Sequence, residues 1–271
     1  MSAHDKLLGL AARPKVAVHK FSSCDGCQLA FINDAVSLLE LSTLVDVVHF
    51  AEAGPLDEFA EVELAIIEGS VNTKHDIHRL EMIREKAKYI ICIGACAITG
   101  GIQALRNYTD AKGLLEWQHD VYPQDTDVII EQDLSTAKPI SAYVPVDFEI
   151  PGCPITSGQI LHAVRSILFG VEPEKNVDSV CVSCKHAGVS CVTVAKGEPC
   201  LGPVTANGCE ALCPSLGRGC YGCYGASKYA NLSAMKNQLR EMGLTEQQIT
   251  HKFQYINSQD ALMVPKTAIT T

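Results

Sequence analysis

Thirteen cysteines stand in a chain of 271 residues, and twelve of them fall into sets whose spacing suits metal. One set is scattered: Cys24 and Cys27 in SSCDGC, Cys96 in GACAITGG and Cys153 in PGCP. The other eight crowd together as Cys181-x2-Cys184, Cys191, Cys200, Cys209-x3-Cys213 and Cys220-x2-Cys223. Thiolates in fours are the coordination of a [4Fe–4S] cluster and equally of structural zinc. A single zinc ribbon fails for the dense block, because its second pair should follow about 15–20 residues after the first. Here four cysteines lie between Cys184 and Cys220, and paired zinc sites stay open. The simplest division gives Cys181, Cys184, Cys191 and Cys200 to one site and Cys209, Cys213, Cys220 and Cys223 to the other. Crossed ligation, as in two-cluster ferredoxins, is the alternative partition.

Disulfides are the competing use of so many thiols, but disulfide-dense domains are small and secreted, usually below about 100 residues. The first twenty residues carry no signal-peptide pattern and no twin arginine, and no run approaches the roughly 18 apolar residues of a membrane span. A reducing, cytoplasmic setting is expected, where paired cysteines are metal ligands more often than bridges. The balance of 22 Lys+Arg against 31 Asp+Glu, a net charge of −9, opposes a nucleic-acid or anionic-membrane partner, since the chain would repel the phosphates it approached.

The elements that must position these thiols can be read from periodicity. Short runs rich in Val and Ile at 15–21, 44–51, 64–69 and 89–94 predict buried strands, and 143–150 a later one. Residues 28–41 and 75–88 carry apolar residues at helical spacing, and a further helix over 157–169 has Ile160, Leu161, Val164, Ile167 and Leu168 as one stripe. This alternation predicts an α/β fold with a doubly wound parallel sheet and right-handed crossovers. Cys24 and Cys27 then follow the first strand, Cys96 the fourth and Cys153 the late one. In such a sheet, ligands bind outside the carboxyl ends of the strands. Gly26, Gly94, Gly100, Gly101 and Gly152 crowd the same places, where glycine lets backbone approach a bulky group and donate N–H bonds to sulfur.

Beyond residue 170 the pattern changes. VEPEKNVDS reads as a linker, and the cysteine block that follows has too few large hydrophobes to offset its chain entropy by burial. Metal coordination is the available substitute. A C-terminal surface helix is expected over 228–243, stopped by Gly243. The polar stretch 107–138, with Trp117 and Pro123, is placed only as an insertion or lid.

Some chemistry-bearing residues have plainer readings. Cys92 lies inside a strand about 13 Å before Cys96 at 3.3 Å per residue, so both cannot serve one cluster, and Cys92 is expected to be a small buried hydrophobe. His186 is expected beside a thiolate set or at the surface, and His75 and His78 in solvent. No Gly-rich dinucleotide loop, nucleophile elbow or HExxH occurs. Several spaced redox centres therefore predict electron conduction, with no catalytic residue in this chain.

At these positions the sequence resembles the small subunits of [NiFe] hydrogenases. The matching pieces are CDGC, IIEGSV at 66–71, GACAITGG, PGCP, PCLGPVT at 199–205 and GCYGCYG at 219–225, in family order. The resemblance implies a flavodoxin-like domain followed by a small, irregular iron–sulfur domain, with a tail at 1–14 and domains at 15–172 and 173–271. It implies three [4Fe–4S] clusters. Cys24, Cys27, Cys96 and Cys153 match the proximal ligands, Cys181, Cys184, Cys191 and Cys200 the distal ones, and Cys209, Cys220 and Cys223 the medial ones, with Cys213 as a fourth. A hydrogenase large subunit would carry the nickel-iron centre. Cys181 where periplasmic members usually have His, the missing leader, Cys213, and Gln28 after CxGC point to the cytoplasmic bidirectional group. Within that group the NADP-linked sulfhydrogenases, whose corresponding chain is the delta subunit, are the nearest match, with iron–sulfur and flavin NADP-reducing subunits as partners. A deazaflavin-reducing relative and a zinc-stabilised scaffold are the alternatives. Glu68 is expected either to help position the large-subunit contact or a proton, or to satisfy loop N–H groups at a strand end.

Overall fold

A computed structural model of the chain describes residues 13–108, 133–173 and 177–264. Five strands form one sheet: β1 (Lys15–Lys20), β2 (Asp46–Phe50), β3 (Val62–Glu68), β5 (Ala87–Ile93) and β7 (Phe148–Ile150). They lie in the order β2-β1-β3-β5-β7 and every pairing is parallel. Numbered among themselves these strands run 2-1-3-4-5, the flavodoxin-like order, whose switch point lies between β1 and β3. The expected α/β architecture is therefore present. A two-stranded antiparallel pair, β4 (Val71–Thr73) with β6 (Asp133–Lys138), stands beside it. The expected insertion at 107–138 thus ends in a strand, while Trp117 and Pro123 lie outside the described residues.

Period-two alternation splits the sheet between two cores. Val16, Val18, Leu64, Ile66, Ile91 and Ile93 face α1 (Gly26–Ile32), α2 (Ala35–Leu44) and α5 (Ser157–Leu168). Ala17, Ala65, Ile67, Ile90 and Cys92 face the other way, toward α3 (Lys74–Lys86) and α4 (Gly94–Thr99). Cys92 is a buried core side chain, as expected.

The helix expected over 28–41 is two helices. Asp34 breaks it: its carboxylate accepts the Ser37 backbone N–H (3.2 Å), capping α2, and also the Ser157 hydroxyl (2.6 Å). Such a cap outcompetes helix continuation, because Asp bonds its own backbone more easily than it fits mid-helix. The strand expected over 143–150 shrinks to three residues. Pro145 has no N–H for a ladder, and Asp147 instead accepts the Ile90 N–H with its side chain (2.7 Å). α3 begins at a reciprocal capping box, Thr73 Oγ1 accepting from Asp76 N and Asp76 Oδ2 from Thr73 N (3.0 Å each).

The cysteine-rich part contains only short helices, α6 (Val180–His186), α7 (Val192–Lys196) and α8 (Leu212–Ser215). The expected C-terminal helix is α9 (Leu232–Glu241), and a further one, α10 (Glu246–Gln254), follows it. Thr245 and Gln248 form its capping box, a T-x-x-Q signal that the sequence carries in plain form. Both helices pack on Leu201, Val204, Met263 and Val264. Among the described residues no helix is long and apolar enough to cross a membrane.

Candidate metal centres

The carboxyl ends of β1, β5 and β7 deliver Cys24, Cys27, Cys96 and Cys153 to one edge of the sheet. Cys27 opens α1 and Cys96 sits in α4, while Cys24 and Cys153 lie on loops. Burial pushes the Cys27 thiol far up, and the charges of Glu68, Cys96 and Cys153 push it further. Cys96 rises to about 12, chiefly by burial and then through Cys153, Cys24 and Glu68. Cys153 rises by burial and then through Cys24 and Glu68. Each of the four thiols therefore lies within electrostatic reach of at least two others. Neutral thiols are the stable state of such a pocket until a cation is supplied, and cations are what four converging thiolates require.

Backbone geometry leaves room for a bulky group here. Gly94 has a φ of +80°, and a Cβ on it would fall 2.5 Å from Cys27 Sγ. Only glycine takes that conformation without strain and leaves the sulfur free. Asp25, between the first two cysteines, also has a left-handed backbone, and its carboxylate pairs with Lys20 at 2.7 Å.

Glu68 is 2 % exposed at the end of β3. Its carboxylate accepts the backbone N–H of Cys27 (3.0 Å) and of Gln28 (3.3 Å), together with the Gln28 side-chain amide (2.9 Å). Of its two expected roles, the structure displays the second in altered form: from the strand end it satisfies N–H groups in the first turn of α1, which carries Cys27. Burial raises its pKa, and these N–H groups hold it back. The Gln28–Glu68 pair was not legible in the sequence, since the residues are forty positions apart and no motif couples them.

The eight remaining cysteines neighbour one another along the block, with interactions running between its two halves. Cys181 lies within reach of Cys200, Cys184 and Cys191, and Cys181 and Cys184 are both pushed toward the neutral thiol, first by burial. Cys213 and Cys223 both sense Cys209, and Cys223 also senses Cys220. Burial raises Cys220 and Cys223 to about 12. A Cβ on Gly202 would lie 3.3 Å from Cys200 Sγ and 3.6 Å from Cys181 Sγ, so the backbone hugs these two sulfurs. Cys200 Sγ accepts the N–H groups of Cys220 (3.2 Å) and Gly202 (3.4 Å), and Cys220 Sγ accepts that of Gly222 (3.5 Å). N–H···S bonds of this kind tune iron–sulfur centres. Glu210 and Ala211, beside Cys209, both take left-handed backbone, a strain that persists only where surroundings impose it. His186, His75 and His78 lie outside the thiol groups, all three exposed to solvent as expected.

Electrostatic neighbours link the sheet edge to the cysteine block. Cys223 senses Cys153 as well as Cys209 and Cys213, which joins the sheet edge to the second half of the block. Cys184 and Cys220 sense Cys209 and Cys200, respectively, which joins the two halves to each other. Tyr224 sits at the first junction, its hydroxyl 3.3 Å from both Pro154 O and Gln159 Oε1.

Donor spacing tests what these groups fit. A tetrahedral zinc about 2.3 Å from each thiolate draws its sulfurs to about 3.8 Å of one another. Among the described residues no set of three thiols is gathered compactly enough to hold one metal ion. Four-thiol sets more open than a single-ion site are compatible with iron–sulfur clusters.

Residues 24–167 match the family model described as NADH ubiquinone oxidoreductase, 20 Kd subunit. The delta subunit of sulfhydrogenase 2 from Pyrococcus furiosus is 34 % identical over 238 residues, spanning 88 % of this chain and 97 % of that one. A subunit of the vhu F420-non-reducing hydrogenase from Methanocaldococcus jannaschii is 31 % identical, over 90 % and 93 % of the two chains. Among solved structures, a chain of an NAD+-reducing [NiFe]-hydrogenase in the H2-reduced state superposes with a TM-score of 0.52 at 28 % identity, covering 60 % of this chain and 94 % of that one. The actinobacterial-type NiFe-hydrogenase from Ralstonia eutropha H16 covers all of this chain and 88 % of its own at a TM-score of 0.54; at 14 % identity it bears on the fold alone. A parallel sheet that delivers cysteines from three strand ends, followed by a cysteine-rich block, and relatives matched along nearly their full length lead to one assignment: the chain belongs to the NADH ubiquinone oxidoreductase 20 Kd subunit family and, within it, to the electron-transferring small subunits of [NiFe] hydrogenases.

Proposed function

We propose that the chain is a three-cluster relay of a cytoplasmic, bidirectional, NADP-linked [NiFe] hydrogenase, organised as a tail at 1–14 and units at 15–172 and 173–271. Cys24, Cys27, Cys96 and Cys153 would hold a proximal [4Fe–4S] cluster next to the large subunit and its nickel-iron centre. Cys209, Cys213, Cys220 and Cys223 would hold the medial cluster, and Cys181, Cys184, Cys191 and Cys200 the distal one. When bound, such clusters accept and release single electrons at potentials set by burial and by N–H···S bonds. The chain's own residues supply the thiolates, the backbone donors around Cys200 and Cys220, and the Glu68–Gln28 brace behind Cys27.

The observation that carries this reading is the succession of neighbouring thiols, in which Cys223 lies within electrostatic reach of Cys153, and Cys184 within reach of Cys209. A relay needs its centres in sequence rather than scattered. The test is Cys24→Ala or Cys153→Ala in the assembled complex. H2-dependent NADP+ reduction should fall at least about 100-fold, and iron from about twelve to about eight atoms per chain, four per lost cluster. Hydrogen-isotope exchange at the large subunit should survive in part. Full NADP-linked activity with the iron lost would overturn the assignment. A second reading, with an acceptor other than NADP+, is favoured by the likeness to subunits of F420-non-reducing hydrogenases. Supplying NADP+ and other electron acceptors to the same complex separates the two.

A further inference from the structure

A second kind of ligand set stands on the face of the sheet that α3 covers, built without cysteine. β1 and β2 are in register from Lys15↔Asp46 to Val16↔Val47, and then the pairing shifts so that Ala17 faces His49. Bulges re-aim side chains, because one extra residue reverses the alternation of everything after it. Here the shift turns His49 to the same face as Ala17 and therefore as His19, two residues on. Without it His49 would point to the opposite core.

The two imidazoles stack with ring centroids 4.8 Å apart and planes 28° from parallel. His19 is 1 % exposed and His49 4 %. Nδ1 of His19 and both ring nitrogens of His49 have no hydrogen-bond partner. Three buried nitrogens left unpaired in one place are costly and call for an occupant. The Glu58 carboxylate comes from the segment between β2 and β3, and one ligand atom from each of the three residues lies within 4.8 Å of the others. Burial lowers the pKa of both rings, that of His19 to about 3 with help from His49 and Arg79. Both are thus neutral, the form that ligates metal.

We propose that His19, His49 and Glu58 form a divalent-cation site of the zinc class, separate from the iron–sulfur relay. Two imidazoles and one carboxylate, with a water completing the tetrahedron, are a recognised zinc donor set. The charged neighbours are mixed: Arg79 sets positive potential at both rings, while Glu58 adds negative potential at His49. Asp57 adds negative potential at His49, and the Arg79 guanidinium bonds Glu58 Oε1 while donating to Lys20 O (2.6 Å). Ligating carboxylates commonly have such a partner, which fixes their orientation. A bound ion would fasten the 51–61 segment to the end of β1. From there Lys20 already reaches Glu52 (2.8 Å) and Asp25 (2.7 Å), beside Cys24.

The experiment uses the cluster-loaded complex, purified anaerobically, equilibrated with ZnCl2 and passed through a desalting column, with zinc and iron counted by mass spectrometry. About one zinc per chain should be retained by the wild type and lost in both Glu58→Gln and His49→Gln, with iron unchanged; zinc should also raise the thermal midpoint in the wild type alone. Losing a direct ligand should weaken zinc binding at least about 100-fold, above the effect of an outer partner. Glu58 is partly exposed on a connecting segment, so Glu58→Gln keeps the test open if His49→Gln does not fold. Equal zinc in the wild type and Glu58→Gln would overturn the proposal and leave Arg79 as the cation that this pocket serves. Zinc lost together with iron would do the same, by placing the metal among the cysteines.

Discussion

The sheet and the cysteine-rich span 177–227 answer the same problem, holding thiols in place, by opposite means. Around the sheet, Leu64, Ile66, Ile67, Leu80, Ile83, Ile90, Ile91 and Ile93 are all buried; of the four cysteines Cys27 joins this core while Cys24, Cys96 and Cys153 sit at its rim, and the core would exist without them. In the span, Leu201 and Val204 join the core under α9 and α10, and the core around the thiols is Val180, Val192 and Ala211 together with Cys200 and Cys220 themselves. There the ligands are the interior. Apolar area is the main favourable term in folding, so the first region offers metal a formed edge, and the second has little to fold around until metal arrives.

Removing iron should break this symmetry most visibly. In the apo chain, amide exchange protection across 180–223 should vanish, a loss on the order of 10 kcal/mol if the clusters act like other structural four-thiolate sites. Amides of β3 and β5 should keep theirs. Equal loss in both regions would mean that the sheet, too, depends on its metal.

The converse perturbation is smaller. Leu80 on α3 is wholly buried against Ile67, Ile90 and their neighbours. Leu80→Ala should cost about 2–5 kcal/mol, read from urea unfolding of the loaded protein by sheet-specific amides. Iron bound by the eight-cysteine block should not change. If iron fell in the folded variant, the block's hold on its metal would depend on the packing of the sheet.

The same contrast explains what was legible in the sequence. Strand runs such as YIICIG announce themselves by branched side chains, and a parallel sheet buried on both faces allows few alternatives, so the architecture and the strand ends carrying Cys24, Cys96 and Cys153 could be read directly. The cysteine pairs were legible because CxxC spacing is local. What escaped was non-local or turned on a single residue. Asp34 splits a helix by bonding Ser37 and Ser157, and a one-residue register shift brings His49 to His19. Neither leaves a periodic trace. The strap at 256–264 was invisible for the same reason: its polar side chains look like those of any surface loop, and only the fold shows that Asn257 and Ser258 are buried.

That strap supplies the finest test, because it touches both regions. Asn257 Nδ2 donates to Gly222 O (2.7 Å), between Cys220 and Cys223, while its Oδ1 accepts the Thr99 hydroxyl (3.0 Å) at the end of α4. Ser258 Oγ donates to Gly101 O (2.7 Å) and Gln259 N to Thr99 O (3.1 Å), so the neighbouring links favour the sheet side. Asn257→Ala leaves the Gly222 carbonyl without this donor and the Thr99 hydroxyl without this acceptor, a cost of about 1–3 kcal/mol. Asn257→Asp keeps an acceptor for Thr99 but sets a carboxylate against the Gly222 carbonyl, so it should cost at least as much despite its similar size. If Asn257 is the bond through which the metal-held span and the core-held sheet feel each other, the loaded Asn257→Ala chain should unfold in two steps where the wild type unfolds in one, with the first step releasing iron. A single, merely shifted transition would instead assign the coupling to Tyr224 and the cysteine neighbours Cys153 and Cys223, leaving the strap as one more buried polar contact.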